Sequence, residues 1–191
     1  CKDYMKMAFA LSEKFDAPVL FHVTTRVCHS KGIVELGERV EADYIPYEKK
    51  ITKYVSAPAN AKKMRVNLET KLQMMEEYAN TCEINQPEWH DKKIGVVTSG
   101  ISYQYAKETF GENASYLKLG MTFPLPTKLI EDFCAQVEKV YVIEEMDPYL
   151  QEFLQIHGIE CVGKPVIPTF DELNTDIVRE ALTGEVPESY E

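Results

Sequence analysis

The chain has 191 residues, 45% of them hydrophobic and 27% charged, with a formal net charge of −10. That suffices for one globular domain, or a domain with an appendage, and excludes disordered, collagen-like and coiled-coil classes. The longest strongly apolar stretch, Ala17 to Val23, falls far short of the roughly 20 residues of a membrane helix. Five cysteines at positions 1, 28, 82, 134 and 161 form no Cys-x-x-Cys pair, so neither a disulfide framework nor a zinc or iron–sulfur cage is expected. A reducing, cytoplasmic compartment fits this usage.

The charge is unevenly placed. Residues 1–93 carry 15 Lys+Arg against 14 Asp+Glu, whereas residues 94–191 carry 6 against 17. An acidic second half without a basic stripe disfavours a phosphate backbone, so no nucleic-acid partner is expected. Between Lys49 and Lys71 seven basic residues face one acid, Glu69, which reads as a solvated helix face, with a docking surface for an acidic partner as the alternative.

In chain order, Tyr4, Ala8, Leu11 and Phe15 share one face of a helix that starts almost at Cys1, with no capping residue and no signal region before it. The chain therefore reads as cut from a longer one. Asp16-Ala17-Pro18 signals a turn, and Val19 to Thr24 reads as a buried parallel strand, with His22 as a core residue within it. Residues 25–46 are polar and Gly-punctuated, a loop or linker. Ile51 to Ser56 is a weaker strand candidate. A long helix follows Ala57-Pro58, with Ala61, Met64, Leu68, Leu72 and Met75 in steps of three and four, and ends near Asn80. Thr81 to Asp91, with Pro87, reads as turns.

From Lys92 strands and helices alternate. Ile94 to Ser99 is a strand, Ser102 to Phe110 a helix stopped by Gly111, and Tyr116 to Gly120 a strand. A helix then carries Leu129, Ile130, Phe133 and Val137, and Val140 to Glu144 is a strand. Asp147-Pro148 opens a helix ending at Gly158, Glu160 to Val162 is a short strand, and a last helix carries Leu173, Ile177, Val178 and Leu182. The pattern implies an α/β fold, a mostly parallel sheet with helices on both faces.

Three stretches carry candidate chemistry. Thr98-Ser99-Gly100-Ile101-Ser102 ends a parallel strand next to a helix N-terminus, where such sheets bind anions and cofactors; only one of the three fingerprint glycines is present, and a tight turn with Ser99 or Ser102 as N-cap is the favoured reading. Glu144, Glu145 and Asp147 could meet a hard cation, but Asp147-Pro148 is also the N-cap and first-turn proline of a helix, so no metal is expected. Thr24 to Gly32 places Thr25, Arg26 and His29 just past a strand, where Arg26 could clamp a carboxylate and His29 could move protons; a solvated loop is the other reading. No nucleophile elbow, Walker loop or H-E-x-x-H occurs.

Phe15 to Phe21, Thr24 to Gly32, Lys93 to Tyr103, Leu117 to Met121 and Pro124-Leu125-Pro126 together resemble, in order, the large subunit of the indolepyruvate:ferredoxin oxidoreductases, members of the thiamine-diphosphate-dependent 2-oxoacid:ferredoxin oxidoreductase family. The resemblance implies that residues 1–32 are the C-terminal piece of a pyrimidine-binding domain, 33–50 a linker, and 51–191 a three-layer, Rossmann-like domain of the transketolase C-terminal type. Its first strand would run antiparallel to the rest, with Ile51 to Ser56 as candidate. It further implies a parent that oxidatively decarboxylates aryl pyruvates to acyl-coenzyme A, with thiamine diphosphate, Mg²⁺ and iron–sulfur clusters as cofactors. Ferredoxin, coenzyme A and a smaller beta subunit would be its partners. The family's cofactor glutamate would precede Cys1 and its diphosphate motif would follow Glu191. This stretch would then hold no cofactor and be mainly scaffold and inactive alone, with Arg26 and His29 the catalytic candidates and Thr25, Ser99 and Gly100 the cofactor candidates. A free-standing doubly wound binding or regulatory module is the alternative; its paired acids after the first strand, or its glycine-rich first turn, are not seen.

Overall fold

A computed structural model describes residues 1–41 and 43–185. It comprises two compact units, Cys1–Lys71 and a second from Leu72 onward. In the first unit, helix α1 (Lys2–Phe15) buries Ala8 and Phe15 and ends where Asp16 enters the left-handed region at φ 47. The Asp16 carboxylate accepts from Lys53 Nζ at 2.6 Å and Lys71 Nζ at 2.8 Å, and these two ammonium groups lower its pKa to about 2.

The expected strand at Val19 to Thr24 does not form. These residues join no sheet, Leu20 is 92% exposed, and His22 lies on the surface rather than in a core. The physical reason is the absence of a partner: among the described residues of this unit there is no strand to supply the ladder. Ile51 to Ser56 is likewise no strand, its first four residues forming the short helix α3 (Ile51–Tyr54). Between it and the equally short α2 (Thr25–His29), the described residues carry neither helix nor strand. The long helix α4 (Pro58–Ala79) forms where the periodicity places it.

The second unit holds a four-stranded sheet: β1 (Asn85–Glu88), β2 (Ile94–Ser99), β3 (Ser115–Leu119) and β4 (Lys139–Ile143), in the order β1-β3-β2-β4. β2 pairs parallel with both β3 and β4, in register Val97 to Leu117 and Val97 to Val142. The antiparallel strand is β1, from the stretch read as turns, not Ile51 to Ser56. Its four residues, Asn-Gln-Pro-Glu, have no β-rich composition, so pairing with β3 rather than propensity makes them a strand. Pro87 is tolerated because β1 is an edge. The strand expected at Glu160 to Val162 contributes one parallel bridge, Tyr141 to Val162.

Alternation along the strands splits the core in two. Val97, Leu117, Leu119, Val140 and Val142 pack against α6 (Thr127–Cys134) and α7 (Tyr149–Ile156). On the other face Val96, Tyr116, Tyr141 and Ile143 pack against α5 (Ser102–Phe110) and α8 (Thr175–Thr183). Gly95 has a packing reason: a Cβ there would lie 2.6 Å from Val137 Cγ2. The architecture is thus α/β, with helices on both faces of a mostly parallel sheet.

Candidate functional site

The next two strands, β3 and β4, lie on opposite sides of β2 and parallel to it, so the order in which strands are added reverses between β2 and β4. The helices that follow these two strands, α5 and α7, cover opposite faces. In open α/β sheets the crevice outside the carboxyl ends at such a switch point is where ligands enter. Here it is bordered by Ser99-Gly100-Ile101 and by Glu144 to Asp147.

Several of the chain's own side chains at these strand ends bond to backbone groups. Thr98 Oγ1 donates to the Ile143 carbonyl at 2.6 Å across the two strand ends. Glu144 is buried, and its carboxylate accepts from the Leu150 and Gln151 amides at 2.8 and 3.0 Å. Glu144, not Asp147, therefore satisfies the free amides of α7, and the position flanking that helix is Pro148. Burial raises the Glu144 pKa, opposed by those two amides. Glu145 accepts from the Leu173 amide at 3.2 Å. With two of the three carboxylates engaged on backbone, no cation cradle remains: among the described residues no group of three His, Cys, Asp or Glu side chains could hold a metal ion.

At the neighbouring strand end Asn85, which is 2% exposed, bonds to backbone in the same manner. Its Oδ1 accepts from the Gly120 and Met121 amides, both at 2.8 Å, while its Nδ2 donates to the Ala79 and Met121 carbonyls, both at 3.2 Å. Asn80 Oδ1 accepts from the Leu129 amide at 2.9 Å, in the first turn of α6. Neither asparagine stands out in sequence, because the groups they satisfy are backbone atoms distant along the chain.

Ser99 and Gly100 lie at the switch point as expected. Gly100 is a glycine for its backbone: φ is +58, and nothing lies within 4 Å of where a Cβ would stand, so no close ligand approach is needed to explain it. Neither Ser99 nor Ser102 caps α5; Ile101 holds that position and no side-chain cap bond forms. Thr25, Arg26 and His29 share one turn of α2 in the first unit and are exposed, with Ser30 Oγ donating to the Arg26 carbonyl at 2.8 Å. All five cysteines are free thiols, and burial pushes Cys134 up to about 12. Among the described residues, neither the five free thiols nor a cluster of His, Asp and Glu gathers the ligands of a metal or iron–sulfur site.

One polar cluster has no clear sequence signal. Glu88 at the end of β1 accepts from Tyr103 Oη at 2.5 Å and Lys107 Nζ at 2.6 Å, and its carboxylate lies 2.9 Å from His90 Nε2. The Lys107 ammonium, then the Tyr103 hydroxyl, lower its pKa to about 2. Lys118 Nζ sits 4.8 Å from the Tyr103 ring centroid. The cluster ties the antiparallel edge strand to α5.

Comparison with known proteins gives a consistent answer. No family model matches the chain. The indolepyruvate oxidoreductase subunit IorA of Archaeoglobus fulgidus is 38% identical over 169 residues, 85% of this chain and 27% of that protein. The subunit of the same name from Thermococcus kodakarensis is 33% identical over 218 aligned positions, covering 100% of this chain and 34% of that protein. The chain is homologous to one part of indolepyruvate oxidoreductase subunit IorA. It spans about a third of the length of these curated relatives. A solved 2-oxoglutarate:ferredoxin oxidoreductase from Magnetococcus marinus superposes with a TM-score of 0.52 at 15% identity, over 67% of this chain and 23% of that one, and shares the fold. Among the described residues, no helix is long and apolar enough to cross a membrane.

Proposed function

We propose that this chain is a scaffold segment of a cytoplasmic IorA-type 2-oxoacid:ferredoxin oxidoreductase. The parent enzyme would oxidatively decarboxylate aryl pyruvates such as indolepyruvate to acyl-coenzyme A and pass the electrons to ferredoxin. The observation that carries this reading is the 38% identity to the Archaeoglobus subunit across 85% of the chain. The scaffold role is supported by Thr98, Glu144 and Asn85, whose side chains at the strand ends bond to backbone groups.

In this reading residues 1–32 complete a pyrimidine-binding domain, 33–50 link it onward, and 51–191 form the transketolase C-terminal-like domain. Thiamine diphosphate, Mg²⁺ and iron–sulfur clusters would be held by other parts of the parent, which would also meet the beta subunit, ferredoxin and coenzyme A. When bound, thiamine diphosphate supplies the stabilised carbanion that decarboxylation of a 2-oxoacid requires. This chain's residues keep the sheet rigid beside that chemistry. Thr25, Arg26 and His29, exposed on one helical turn, remain the candidates for approaching it.

The test is the native protein carrying this sequence, purified with its associated chains. It should reduce ferredoxin only when indolepyruvate, coenzyme A and thiamine diphosphate are all supplied, and residues 1–191 alone should show neither turnover nor calorimetric binding of thiamine diphosphate with Mg²⁺. Turnover of an unrelated substrate, or saturable cofactor binding by the isolated chain, contradicts the proposal.

A further inference from the structure

Exposed apolar side chains follow several strands at the carboxyl edge of the sheet. Ile101 follows β2, Phe123 follows β3, Met146 follows β4, Tyr149 begins α7 and Phe170 lies in the segment before α8; all five are exposed, Phe123 at 70%, Met146 at 68% and Phe170 at 73%. Two hydrogen bonds join these loops: Tyr149 Oη donates to the Thr122 carbonyl at 2.8 Å, and the Leu173 amide to Glu145. Scattered exposed apolar residues need no explanation, but a set gathered at one end of a sheet from separate loops does. Met146 adds a second observation. It holds φ 58, a left-handed conformation costly for a side chain of its type, and with it stands largely in solvent.

Charge identifies what would cover this surface. Around the apolar centre, Glu145, Asp147, Asp171 and Glu172 outnumber Lys128, in the first turn of α6, and the half-buried Lys164, whose ammonium feels Glu144, Glu145 and Asp147. A second copy docking symmetrically would set these acids against themselves, whereas a partner with Lys and Arg around an apolar centre would match both features. We propose that the carboxyl edge of this sheet is a docking surface for a protein surface of that kind, apolar at the centre and basic at the rim, with Met146 and Phe123 as its anchors. The inference deepens the scaffold reading, which supplies the expectation that a partner exists, and names the face through which the scaffold is held.

The test places a photo-crosslinking phenylalanine analogue at position 146 of the protein in its native assembly and compares Phe123→Asp/Met146→Asp with Ile156→Asp. Ile156 is also exposed, at 82%, but at the far end of α7. The crosslinked peptide should be apolar with flanking Lys or Arg and come from outside residues 1–185. The double variant should lower association about tenfold or more, as loss of paired anchors does, and Ile156→Asp less than about twofold. Asp147→Lys should also weaken association and flatten its salt dependence. Circular dichroism and the urea midpoint of each variant separate lost docking from lost folding. If the double variant proves unfolded, the position-146 crosslink and Asp147→Lys decide. A crosslink to the same loop of another copy, to an acidic surface, or to nothing overturns the proposal, as does unchanged association of a folded double variant. A correct crosslink in an assembly that does not oxidise indolepyruvate would overturn the activity reading and leave the docking surface standing; the reverse result would do the opposite.

Discussion

The two units of the chain draw on similar residues and bury them differently. The first holds Leu20, Ile33, Leu36, Val40, Tyr44 and Tyr47, all strongly exposed, and its buried apolar side chains are Ala8 and Phe15. The second buries Val96, Val97, Leu117, Leu119 and Ile143 almost completely on the two faces of one sheet. Apolar composition therefore does not make a core; a strand whose neighbours complete its ladder does. Val19 to Thr24 and Ile94 to Ser99 are both apolar and β-rich, yet only the second has β3 and β4 beside it. The second unit carries its own core.

The comparison can be broken at several points. The largest expected effect is kinetic: trypsin under native conditions should cut at Lys31, Arg39, Lys49 or Lys50 on the order of a hundredfold faster than at Lys118 or Lys139, because cleavage of the sheet waits on opening of its core. Early cleavage within the strands, read by mass spectrometry, would dissolve the distinction. Next, Leu117→Ala should cost about 2–5 kcal/mol by urea denaturation, as a buried leucine truncated in a packed core does, and Leu36→Ala less than about 0.5 kcal/mol. Equal costs would show that residue 36 is buried too.

Asn85→Ala should cost about 1–3 kcal/mol, since it strands the Met121 amide and removes a partner from the Met121 carbonyl after β3 and from the Ala79 carbonyl at the end of α4. A cost near zero would mean that water takes its place. The smallest effect is Glu88→Gln, about 1 kcal/mol at neutral pH, because the ion pair is partly solvated. Its pH dependence is more telling than its size. The folded pKa of Glu88 lies near 2, below the ordinary 4.5, so its stabilisation is complete above 4.5 and is lost as pH falls toward 2. The wild-type urea midpoint should fall across that window and that of Glu88→Gln should fall less. Glu144 acts with the opposite sign: burial raises its pKa, so its contribution is present at low pH and lost as pH rises through the raised value.

The second unit was legible in sequence because its signals are local and agree with one another. Ile94 to Ser99, the helix stopped at Gly111 with φ 55, and the apolar stripe Ile130 and Phe133 each specify their element and its inner face. The edge strand was not legible, because Asn85 to Glu88 are held by Leu119 to Tyr116 across the ladder and by Tyr103 and Lys107 on α5, contacts that no short window contains. The same cause misassigned the cap of α7. Asp147-Pro148 has the usual local pattern, but Glu144 at the strand end reaches the same amides. Ser99 and Gly100 do lie at the end of β2, as their sequence pattern implies. The bonds at the strand ends were hidden, since they depend on Thr98 meeting Ile143 and on Asn85 meeting Gly120 and Met121.

Hydrogen exchange followed by mass spectrometry, on residues 1–191 alone and on the same sequence in its native assembly, tests the central claim most directly. The account predicts that amides of Ile94 to Ser99, Ser115 to Leu119 and Lys139 to Ile143 are protected in both, while residues 31–50 exchange at once in the isolated chain and become protected only in the assembly. Equal protection of residues 31–50 in the two samples, or loss of protection in the strands of the isolated chain, would contradict it.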